Sequence, residues 1–79
     1  MDIKVLGSRS PHGAATLALI DEVARAMGVP VKVQKADDFN TLISHGVMSM
    51  PGVVIDGRLV HAGGVPSRGR VEDWLDRNG

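Results

Sequence analysis

The sequence predicts an α/β fold: a mixed four-stranded sheet with helices on both faces, in the order β-α-β-α-β-β-α. Three observations predict it. Short period-two runs at residues 2–6 and 30–35 flank a stretch whose apolar residues recur at spacings of three and four. A strand, a helix and a strand in that order make a parallel pair joined by a right-handed crossover. Further along, Asp56-Gly57 separates two short strand-like runs and signals a tight hairpin, which adds an antiparallel pair.

Each element has a local cause. Asp-Ile-Lys-Val-Leu at 2–6 alternates and then turns apolar, so it reads as the first strand, and Gly7, Ser8 and Arg9 form a loop. Ser10 caps the first helix and Pro11 fits its first position, where no N–H is needed. Leu17, Ile20, Ala24 and Met27, widened by Leu19, Val23 and Ala26, form the buried stripe of a helix over 11–27, and Gly28 ends it. Residues 30–35 read as a second strand with Val31 and Val33 facing in. Asp37 caps a short second helix, with Phe39, Leu42 and Ile43 on its buried side and Gly46 at its end. Residues 47–51 are a loop. The hairpin strands span 52–55 and 58–62, and Gly63-Gly64 breaks the second. Pro66 and Ser67 open a last helix whose inner face is Val71, Trp74 and Leu75.

Composition bounds what such a chain can do. Seventy-nine residues make one domain, 1–79, that buries roughly 60% of its unfolded surface. Phe39 and Trp74 are the only aromatic residues, so the core rests on aliphatic packing. Nine basic and nine acidic residues cancel, and no basic stripe with interleaved aromatics points to nucleic acid. Apolar runs are too short to span a membrane, and residues 1–20 lack a signal pattern, so the expected setting is the cytoplasm. His12, His45 and His61 share no helix face and have no acidic cluster beside them, so no metal or other cofactor is expected. With no cysteine in the chain, thiolate ligands and disulfides are excluded outright.

The residues carry a resemblance. Ile3-Lys-Val-Leu-Gly-Ser8 leads into the first helix, Met50-Pro51 precedes a strand, and Pro51-Gly-Val-Val-Ile-Asp-Gly-Arg-Leu-Val60 runs on to Gly63-Gly-Val-Pro-Ser67. In these the chain resembles the small redox-active disulfide proteins, a glutaredoxin-like family of the thioredoxin-like superfamily. The resemblance implies the three-layer thioredoxin-like fold. It places the family's two cysteines at Ser10 and Gly13, and the superfamily's cis-proline at Pro51. The family members are thiol–disulfide oxidoreductases, but here both cysteine positions are substituted, so no catalytic residue carries over. If the scaffold still holds the ancestral geometry, Ser10→Cys with Gly13→Cys restores a reversible disulfide.

What remains is a set of candidate binding residues: Ser10, Pro11, His12, Met50, Pro51 and Gly64. A serine hydroxyl does not ionise near neutrality and needs a general base to act as a nucleophile. The amides of 12–14, with Ser10 and Arg9, can hold a small anion at the helix start. In the superfamily, the residue before the cis-proline offers its backbone N–H and C=O to an extended peptide or to glutathione, a role Met50 can fill without cysteine. Glutaredoxins also carry a glycine pair where Gly63-Gly64 stand, near the docked glutathione carboxylate. The expected function is a binding module for a peptide or small anion, in a groove between the 10–13 helix start and Met50-Pro51. Val47, Met48 and Val65 would line its apolar side. Two alternatives stand beside it: an oxidoreductase-family role with a thiol supplied by glutathione or a protein partner, and a structural or dimerising module.

Overall fold

A computed structural model describes residues 1–36 and 49–76. The helix expected at 37–46, and Val47 and Met48 of the expected groove, lie outside the described residues. In chain order the elements are β1 (Asp2–Leu6), α1 (Pro11–Met27), β2 (Lys32–Ala36), β3 (Gly52–Ile55), β4 (Arg58–Ala62) and α2 (Arg68–Asp76).

The sheet order is β2-β1-β3-β4, with β1 parallel to β2 and antiparallel to β3, and β3 antiparallel to β4. The mixed sheet is thus the expected one. The β3–β4 turn uses Asp56 at φ 48° and Gly57 at φ 86°, the two positive angles that match a hairpin's twist. Asp56 also pins the start of β1. Its N–H donates to the Asp2 carbonyl (2.8 Å), and its Oδ1 accepts the Asp2 N–H (2.9 Å).

The second strand differs from expectation, running from Lys32 to Ala36 instead of over 30–35. Pairing decides this: Lys32 is the first residue opposite β1, at Asp2, and Ala36 is the last, at Leu6. Pro30 and Val31 precede any partner. Val31 and Val33 still pack against the core.

One face of the sheet presents Ile3, Val5 and Val53 to Ile20, Val23 and Ala24 of α1 and to Val71, Trp74 and Leu75 of α2. Each fully buried aliphatic side chain in this cluster contributes roughly 1.5–3 kcal/mol of transfer free energy. Both described helices share that face. On the other face Leu6 and Val54 are also buried.

Helix α1 ends as expected. Gly28 takes φ 69°, its N–H donates to the Arg25 carbonyl (3.2 Å) and the Val29 N–H to that of Ala24 (3.0 Å). Met27, expected in the core, is instead exposed. The Gly28 reversal carries the chain back so that Val29 packs against the core beyond the last turn. Helix α2 begins one residue after Ser67, whose Oγ accepts the Arg70 N–H at 3.2 Å as a cap.

Candidate functional site

The β1–α1 loop and the proline turn meet, although more than 40 residues separate them in the chain. Gly7 stands at φ 74° immediately after β1. A Cβ built on it would lie 2.7 Å from the Met50 Sδ and 3.2 Å from its Cε, so the Met50 side chain rests directly on the Gly7 backbone. The Met50–Pro51 peptide bond is cis. Pro51 is fully buried, whereas Met50 remains 42% exposed. The β1–α1 loop and Met50 are therefore in direct contact. The space between the two segments is not an open groove, because the Met50 side chain bridges it.

The helix start is closed by its own bonds. The Ser10 hydroxyl donates to the Gly7 carbonyl (2.9 Å), and its oxygen accepts the Gly13 N–H (3.0 Å). The Ser10 carbonyl accepts the Ala14 N–H (2.9 Å). Pro11 has no N–H to offer. Of the amides at 12–14 expected to hold an anion, those of Gly13 and Ala14 are already paired, and so is the hydroxyl proton. The anion cradle is filled from within. His12 is exposed at the first turn, where its carbonyl accepts the Thr16 hydroxyl (2.7 Å). The Ser10 hydroxyl donates its proton to the Gly7 carbonyl and not to a general base, the partner a serine nucleophile needs.

Gly13 has a packing role of its own. It faces inward on α1 and is buried. A Cβ there would overlap the Gly7 carbonyl oxygen and lie 2.7 Å from the Ser8 Cα. Both obstacles are backbone, which cannot rotate aside as a flexible side chain can. For Ser10→Cys and Gly13→Cys to pair, the Gly7–Ser8 backbone would have to move away from the helix, because it occupies the place of a position-13 Cβ.

The far side of the turn is tied to the glycine pair. The Gly63 N–H donates to the Pro51 carbonyl (2.9 Å), and the Gly64 N–H to the Met50 carbonyl (3.3 Å). The Met50 carbonyl expected to meet a ligand thus already has one partner and keeps a second lone pair. Gly63 and Gly64 both have positive φ, at 87° and 67°, and a Cβ on Gly63 would lie 3.2 Å from the Ser49 Cβ. Val65, 42% exposed, follows immediately. Sequence reasoning picked Gly64 but missed Gly7 and His61. The Gly7 signal was a glycine directly after a strand. For His61 there was none, since its partners are set by the turn that follows it.

Among the described residues, no three histidine, aspartate or glutamate side chains gather as a metal site would require. Nor is any described helix long and apolar enough to cross a membrane.

A parallel β-α-β unit, an antiparallel hairpin and a closing helix place a buried proline turn beside the first helix start, and the whole contains no sulfur except methionine. These features define a thioredoxin-like domain without cysteine. The chain belongs to the thioredoxin domain family, whose model matches residues 1–76. No protein with a curated description matches it.

Proposed function

We propose that this chain is a non-catalytic thioredoxin-like binding module of the cytoplasm. It holds an extended peptide against the Met50-Pro51 turn, alongside the start of α1. The observation that carries this reading is Met50: its side chain lies on Gly7 and joins the two segments, yet it stays 42% exposed, and the equally exposed Val65 follows the Gly64 that bonds its carbonyl. Exposed methionine is soft and adaptable, suited to apolar peptide side chains. The second lone pair of the Met50 carbonyl supplies a place for a peptide N–H. Of the two ligand classes expected from the sequence, the peptide is favoured over the small anion, because the amides of Gly13 and Ala14 are engaged internally.

Titrations followed by amide NMR test this. A cysteine-free apolar peptide should shift the amides of Ser10, His12, Met50 and Gly64, and inorganic phosphate should not. Shifts with glutathione or thiol peptides alone would replace this reading with a redox role in which the ligand supplies the thiol. No shift with any of them, together with a size that grows with concentration, would leave a structural module.

A further inference from the structure

The proline turn is held by a short relay of hydrogen bonds that ends on a residue unconnected to it in sequence pattern. Gly63 and Gly64 donate to the carbonyls of Pro51 and Met50. The Gly64 carbonyl in turn lies 3.0 Å from the His61 Nε2. A carbonyl oxygen can only accept, so Nε2 carries the hydrogen. The His61 ring is itself set by Trp74, with centroids 5.9 Å apart and planes tilted by 58°. Trp74 belongs to the buried core. The path therefore runs from the core through an aromatic contact to His61, then to Gly64, and finally to the Met50 backbone.

Gly64 needs such a support. Two successive glycines at positive φ have the least conformational restraint of any pair, so ordering them carries the largest entropy cost. No Cβ limits Gly64, and among the described residues nothing beyond its two chain neighbours approaches within 4 Å of where one would be. Its orientation rests on hydrogen bonds, and His61 supplies the one on its carbonyl.

We propose that His61 is the positioning residue of the proline-turn site: by donating to the Gly64 carbonyl it aims the Gly64 N–H at Met50, and so orients the Met50 carbonyl toward a bound peptide. This deepens the peptide-site reading and rests on it for its functional half. The positioning half stands by itself and can be measured without ligand.

Two variants separate the donor from the ring. His61→Phe keeps an aromatic face against Trp74 and loses the N–H. His61→Gln keeps an N–H and loses the ring. In His61→Phe, hydrogen exchange of the Gly64 amide should quicken about fivefold, the factor one neutral hydrogen bond supplies, while the β1 amides stay unchanged. Affinity for the cysteine-free peptide should fall by a similar factor, and His61→Gln should recover part of both. Unchanged Gly64 exchange in His61→Phe overturns the proposal. So does faster exchange spread equally through β1, which would mean a purely structural role, or faster Gly64 exchange with unaltered peptide affinity. If the unmodified protein binds no peptide, the binding reading fails on its own account, and the exchange data still decide whether His61 positions the turn.

Discussion

The two halves of the site have opposite characters. The helix-start half, Gly7 to Ala14, is closed: the Ser10 hydroxyl, the amides of Gly7, Ser10, Gly13 and Ala14, and the α-carbons of Gly7 and Gly13 are committed to contacts within the chain. The proline-turn half, Ser49 to Val65, is supported from behind by the Gly63–Gly64 bonds but presents Met50 and Val65 to solvent. In the resembled family, sulfur chemistry occupies the first half and chain recognition the second. Where the resemblance would place thiols, this chain has a serine and a glycine, and the loop packs tightly on the helix. The difference teaches that two segments in direct contact can divide between scaffold and exposed apolar contact.

Gly13→Ala should break that contrast most severely. Helix propensity alone would favour alanine by about 1 kcal/mol. Here the new methyl meets backbone at Gly7 and Ser8, and overpacking of this kind costs about 1–3 kcal/mol or more. Since the obstacles cannot rotate away, the clash wins and the melting temperature should drop. The Ser10→Cys, Gly13→Cys pair should be destabilised likewise, with both thiols still titratable after mild oxidation. A well-folded pair with a reversible disulfide would show that the loop opens easily and that the contrast is false.

Gly7→Ala comes next. It places a side chain at φ 74° and displaces the Met50 thioether, at a cost of about 1–2 kcal/mol for the left-handed backbone alone. Adding Met50→Ala should recover the part of the loss due to the methionine contact. Strictly additive denaturant midpoints would mean that the two segments do not press on each other.

Ser10→Ala removes the cap and should cost about 1 kcal/mol in chemical denaturation, without changing peptide binding at the proline turn. An equal loss of binding would mean that the closed half takes part in recognition. The smallest effect is expected for Gly69→Ala in α2. A Cβ at that position meets nothing within 4 Å, so the change should stabilise by about half a kcal/mol. Set against Gly13→Ala, it shows that the same substitution in two helices changes sign with the space around it.

Much of this fold is written locally. The limits of α1 follow from Ser10, Pro11 and Gly28, and the hairpin from Asp56-Gly57, because caps and turns depend on side chains a few residues apart. The absence of cysteine settles by itself that no dithiol chemistry occurs within the chain. Other features depended on partners the sequence could not display. The span of β2 was set by where β1 begins, the exposure of Met27 by the reversal at Gly28, and the roles of Gly7, Gly13 and His61 by the Met50 side chain, the Gly7–Ser8 backbone and the Gly64 carbonyl in turn. A missing side chain leaves the same blank in a sequence whether it permits a bend or admits a neighbouring strand of backbone. Only the tertiary structure distinguishes the two, because at Gly13 the contact that excludes a β-carbon is made by backbone atoms every residue possesses.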